Sequence, residues 1–400
     1  TDTLLSMKLQ RSDSEKAEIL ELAKIDKEFV NELLASKTGY KDYKPVYFRD
    51  KAVMDQLDGK TPETKSEQKT HYNIRDIDNE YTAKDMKLLV EAKNIDEDLT
   101  RELMSIISND GYSNRRRFSP EQINKIVKAA QADKAFANEV INATVPGYGG
   151  KEVYRFDAET VCAVLENIPT CKDFMSKIVN AKNSDTRRYD KYEYYNQDIK
   201  SLAQAAKIDA EYTKELLNTY EEFYKNEINQ RFIPSQIFEI IEAGQNNKTL
   251  MKYLVNSTKL SYDNRQVAAY NSKAIVEILN FEKNIDDKAF MKDILADKEF
   301  AQNGLALAAE TLNYKRDSEL NTYFKELFYD KKMPNDCISG IIDAVNKENI
   351  ALLHKLESNP DFPKNRIANM LQATNKANIE LVKLLSNDKD LKLEYIEKLL

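Results

Sequence analysis

The chain has 400 residues, 42% hydrophobic and 32% charged, with both signs interspersed and a formal net charge of −7, so strong nonspecific attraction to nucleic acid is not favoured. No run of eighteen apolar residues exists, which excludes a membrane-spanning helix on hydropathy. Three cysteines, an odd number, argue against a disulfide framework and for small buried thiols in a reducing, cytoplasmic setting.

The chain opens at Thr1 on a helical pattern (Leu4, Leu5, Met7) and closes at Leu400 just after another, as expected of a piece cut from a longer protein. Residues 1–35 predict one helical hairpin, with Ile19-Leu20, Asp26, Phe29 and Leu33-Leu34 in the order that recurs downstream. Residues 36–80 break that order. Their middle, "DGKTPETKSEQKTH", is polar and predicts an insertion that is partly flexible.

From residue 81 an aromatic recurs with a fixed period. Tyr81, Phe118, Phe156, Tyr194, Phe232 and Tyr270 are spaced by 37 and then four times by 38 residues. Such a period means one supersecondary unit stacked many times. Each aromatic precedes an apolar residue by five positions: Met86, Ile123, Val161, Ile199, Ile237 and Ile275. That is the spacing of a hydrophobic staple, in which the residue before an N-cap packs on the fourth helical residue. Thr82, Ser119, Asp157 and Asn271 fall on the N-cap, and Pro120 and Pro234 on the first helical position. A second helix starts fifteen residues after each aromatic, at Asp96, Asp133, Cys171, Asp209 and Asn247, all but the cysteine being good caps. Five to six hairpins of 37–38 residues are predicted over 81–296.

Over 297–400 the period falls to 29–33 residues, marked by Phe300, Met333, Phe362 and Leu391. The residues lost, about nine per unit, come from the connection between hairpins, because both helix patterns persist. With nine glycines, nine prolines and no strand-like alternation, the reading is an all-α, right-handed superhelical α-solenoid of about ten stacked helical hairpins.

Catalysis has little to work with. His71 and His354 are the only histidines, and neither has a second histidine or a cysteine at ligand spacing, so no metal, cofactor or enzyme activity is predicted. Pro146-Gly147-Tyr148-Gly149-Gly150 lacks the G-K-[ST] of a phosphate loop and reads as a turn.

Two constellations point to binding. Asn142, Asn180, Asn218 and Asn256 follow the paired apolar residues of the second helix at intervals of 38. Either they satisfy carbonyls and link neighbouring units, or they present a row of amides to a ligand. Tyr112, Tyr148, Tyr224 and Tyr262 follow in the connections, and Arg117, Arg155 and Arg231 directly precede the marking aromatics. Tyrosine and arginine favour binding edges. They suit stacking of the hairpins equally well.

On Asn142, Asn180, Asn218 and Asn256 the chain resembles armadillo-repeat proteins, whose inner helices carry an asparagine ladder that grips extended peptides; the repeat array is loosely HEAT-like as well. The resemblance implies a noncatalytic scaffold that binds a protein or extended peptide on its concave face. The alternatives are a single-stranded RNA-binding solenoid and a structural spacer attached to a catalytic domain elsewhere.

Overall fold

The computed structural model describes residues 11–36, 81–108, 116–147, 151–182, 193–223, 227–261, 265–285, 287–315, 318–330, 333, 335–346, 349–358 and 362–376. The insertion predicted at 36–80 and the mark at Leu391 lie outside them. Helix dominates, and the chain divides into two halves, residues 1–200 and 201–400.

In the first half come α1 (Asp13–Ile25), α2 (Lys27–Ala35), α3 (Ala83–Ile95), α4 (Glu97–Ser105), α5 (Pro120–Ala130) and α6 (Lys134–Asn142). The ribbon β1 (Thr144–Pro146) and β2 (Glu152–Tyr154), then α7 (Ala158–Leu165), α8 (Ile168–Asn180) and the start of α9 (Asn196–Leu217) complete it. Helix α3 packs on α1 and α5, and α5 on α7, so the first helix of each pair lies against the first helix of the next. The N-terminal pair joins this row: Arg11 donates to the Tyr81 carbonyl (2.8 Å), and Glu15 accepts from the Ala83 N–H.

Local chemistry sets the helix starts. Thr82 and Ser119 accept from the N–H groups of Asp85 and Gln122, whose side chains accept in return from the cap N–H groups. Asp157 and Asn271 cap α7 and α12 (Ser272–Asn284) through Thr160 and Ala274. Tyr81, Phe118, Phe156, Phe232 and Tyr270 are buried, as are Met86, Ile123, Val161, Ile199, Ile237 and Ile275. Tyr194 is half-buried. Asp96, Asp133, Asp209 and Asn247 cap the second helices, and Cys171 sits at a bend inside α8. All three cysteines are buried and in no disulfide, and burial pushes the Cys162 thiol up to about 12.

The second half contains the rest of α9, β3 (Tyr220–Phe223), β4 (Glu227–Gln230), α10 (Pro234–Gly244), α11 (Lys248–Asn256), β5 (Thr258–Leu260), β6 (Gln266–Ala268), α12 and α13 (Lys288–Ala296). It continues with α14 (Lys298–Asn303), α15 (Leu305–Lys315), α16 (Ser318–Tyr329), α17 (Asn335–Ala344), α18 (Ile350–Ser358), a short 3₁₀ turn at Lys364–Arg366 and α19 (Ile367–Lys376). Here α10, α12, α15, α17 and α19 pack consecutively.

The mostly helical structure agrees with the all-α expectation, and a few short strands join the helices. Three of the connections within the 38-residue register are two-stranded antiparallel ribbons, β1–β2, β3–β4 and β5–β6. Each strand has only three or four residues, too short for a period-two pattern to show in the sequence. One main-chain bond recurs at all five connections of this register, ribbon or not: Arg117, Arg155, Glu193, Arg231 and Ala269 donate their N–H groups to the carbonyls of Ile106, Ala143, Ala181, Thr219 and Ser257. At the turn of β1–β2, a Cβ on Gly147 would stand 2.8 Å from Val153 Cγ1, so this slot requires glycine.

In the short register α13 is joined to the next first helix, α15, by Asp297, the short helix α14 and Gly304, where the long register has a longer connection. Phe300 differs from the other marks. It lies inside α14 rather than ahead of a cap, and its ring packs so closely on Gly304 that a Cβ there would meet it at 2.7 Å. Phe281, Phe290, Phe300, Phe324 and Phe328 form a contiguous ring cluster, with centroids 5.4–5.9 Å apart.

The cap aspartates also bind successive pairs. While one Asp96 oxygen caps α4, the other accepts from Lys134 Nζ (2.6 Å) at the start of α6. Asp133 does the same with Lys172, Asp209 with Lys248 (2.7 Å) and Asp287 with Lys325 (3.2 Å). The lysine bond holds the carboxyls of Asp96 and Asp133 below their ordinary range. At Asp209 burial raises the value, and the bonds from Lys248 and the Tyr212 N–H outweigh it. At Asp287 the Phe290 N–H lowers it first and Lys325 second. A carboxyl depressed on folding contributes stability above its unfolded pKa of about 3.9 and loses it as pH falls through the folded value. The contribution of these carboxyls should therefore be level from about pH 5 to 8 and decline below about pH 4. Asp96→Asn, which keeps the cap but forfeits the ion pair, should show a shallower acid decline in thermal melts at stepped pH. Loss of stability between pH 7 and 5 instead would assign the titration to other groups.

Candidate binding surface

Helix ends and ribbon starts meet at one recurring place, and the asparagines stand there. Asn142, Asn180 and Asn256 are the last residues of α6, α8 and α11, and Asn218 directly follows α9. All four are exposed. Two use their amides within the fold: Asn180 Nδ2 donates to Glu139 (3.0 Å) on the preceding second helix, and Asn218 Nδ2 to the Lys214 carbonyl (2.8 Å). Asn142 and Asn256 make no such bond among the described residues, so their amides face water.

Within each half the arginines serve the packing. Arg117, 8% exposed, donates to the Ile141 carbonyl (2.5 Å) at the end of α6 and to the Phe156 carbonyl (2.7 Å) at the next mark. Arg231 repeats the clamp on Val255 (2.5 Å) and Tyr270 (2.8 Å). Each guanidinium lies over the aromatic that follows it, 4.8 Å from Phe118 and 4.6 Å from Phe232, and Arg155 over Phe156 at 4.5 Å. Burial lowers Arg117 to about 10 and lowers Arg231 as well, which leaves Arg117 charged at neutral pH. Arginine reaching a helix C-terminus is the arrangement that neutralises its free carbonyls.

Tyr112, Tyr148, Tyr224 and Tyr262 lie outside the described residues. Among the residues the connections expose are large apolar ones: Tyr220 and Leu260 are more than half exposed, and so is Ile107 at the bridge to Arg116. A recess of about 200 Å³ opens beside Glu221, Arg231, Gln236 and Ser272. It falls below the roughly 300–1,000 Å³ of small-molecule pockets. Among the described residues no helix is long and apolar enough to cross a membrane, and no group of three or more His, Cys, Asp or Glu is placed to hold a metal. Compared with protein-family models, curated proteins and solved structures, the chain matches none.

Proposed function

We propose that the helix pairs form an α-solenoid and that the chain is a noncatalytic scaffold holding a protein or an extended peptide. One observation carries this reading: Asn142, Asn180, Asn218 and Asn256 keep a single exposed place, at the head of a connection, in four successive pairs. Asparagine is a mediocre helix former, and an amide can donate to and accept from a peptide main chain. Asn142 and Asn256 are the positions with amides to spare.

The test is photocrosslinking in the native source, with a photoreactive residue at 142 or 256 and mass spectrometry of the adducts. Crosslinks to one other protein, reduced by Asn142→Ala or Asn256→Ala at the second position, are expected. Crosslinks confined to the chain itself would favour a second reading, a structural spacer. That reading draws on the commitment of Arg117, Arg231, Asn180 and Asn218 to internal bonds. Adducts to RNA, lost steeply with salt, would favour a nucleic-acid solenoid.

A further inference from the structure

The recess beside Glu221 lies within the second half, between the starts of α10 and α12, and its small volume suits one side chain rather than a whole small molecule. Glu221 and Arg231 are the two charged side chains of its wall, and Phe232 and Ala268 add apolar surface. Arg231 is committed to the Val255 and Tyr270 carbonyls. Glu221 is less engaged: the Ala268 N–H reaches it only at 3.4 Å, and among the described residues no lysine or arginine forms an ion pair with it. Gln236 has a fixed orientation. Its Oε1 accepts from the Ile233 N–H (3.2 Å), which leaves both N–H groups of its amide without a partner among the described residues. The Ser272 hydroxyl, on the same wall, is likewise unengaged among them.

Glu221 requires a donor and Gln236 an acceptor, so the complementary group carries both. Net charge is disfavoured as well, because an ammonium would meet the field of Arg231 and a carboxylate that of Glu221. A carboxamide meets every condition, since its NH₂ donates and its oxygen accepts. Resting on the scaffold reading, we propose that this recess is a side-chain pocket taking one glutamine or asparagine of the bound protein segment, with the NH₂ on Glu221 and the oxygen on Gln236. Asn218, of the proposed amide row, precedes Glu221 by three residues. Three residues span at most about 11 Å, so one extended segment reaches both. Ile233, 56% exposed, directly follows the Phe232 of the wall and offers apolar contact to a neighbouring residue of that segment.

The probes are fluorescein-labelled, alanine-rich octapeptides that carry glutamine, glutamate or leucine at one central place, read by fluorescence anisotropy on the whole chain. The glutamine peptide should bind about tenfold or more tighter than either of the others. Glu221→Gln keeps an acceptor for the Ala268 N–H but removes the charge, so the glutamate peptide should gain on the glutamine peptide until the preference vanishes or reverses. Gln236→Glu keeps the acceptor for the Ile233 N–H but removes the amide donors, and should weaken the glutamine peptide about tenfold or more. Propionamide, the same group without a peptide, should compete only at about a hundredfold or more higher concentration; competition at equal concentration would assign the recess to a small amide and overturn the peptide reading. The peptide series on the unaltered chain decides even if a variant fails to fold. Equal binding of the three peptides, no anisotropy rise with any of them, or a glutamine preference that both variants leave intact overturns the pocket. A partner that still crosslinks at positions 142 and 256 in that case leaves the scaffold reading standing, whereas its complete absence removes the scaffold reading itself.

Discussion

Phe156→Ala is expected to lower the free energy of unfolding by about 3–5 kcal/mol, the range for truncating a fully buried phenylalanine. The ring is 1% exposed and staples the start of α7, where Val161 is wholly buried. The Arg155 guanidinium covers it, and its own carbonyl receives Arg117. The cavity therefore opens where one helix pair meets the next. Phe156→Leu, which keeps most of the volume, should cost far less. Urea titration followed by circular dichroism measures both, and hydrogen exchange across residues 116–182 shows whether the loss is local or spreads through the stacked pairs. An alanine variant losing under about 1 kcal/mol would mean that the ring does not seal this junction.

Much of this was legible in the sequence, because capping and stapling are local. An aromatic, a cap and an apolar residue five positions on specify a helix start without reference to the rest of the chain, and Phe118-Ser119-Ile123 does so in full. The ribbons were not legible, since strands of three residues such as Thr144–Pro146 carry too few side chains to show alternation. Their presence was visible only as length, the nine or so residues by which the long register exceeds the short one. The lysines that pair with cap aspartates could have been found: Lys134, Lys172 and Lys248 each follow a cap position in the same register. What no periodicity could decide is the role of the arginines. Arg117 and Arg231 occupy the right place for a ligand and for a helix end alike, and only the direction of the guanidinium distinguishes the two.

That direction makes Arg117 the most exacting position to alter. Arg117→Met preserves an apolar stem of similar length but removes the donors, so the carbonyls of Ile141 and Phe156 lose their buried partner. Each unsatisfied acceptor costs about 1–3 kcal/mol, and the pair together about 2–6 kcal/mol, a range that overlaps the effect of deleting the Phe156 ring. Arg117→Lys should fall between, because a single ammonium cannot span two carbonyls on different helix pairs as the planar fork does. The two sites touch, so their effects should not add: Arg117→Met combined with Phe156→Ala should lose less than the sum of the single variants by more than about 0.5 kcal/mol. Simple additivity in denaturant titrations would show that the arginine and the ring act separately. Coupling would instead make the guanidinium the bond through which each staple is held against the end of the preceding second helix, and would explain why arginine precedes the aromatic at 117, 155 and 231 without any ligand to bind.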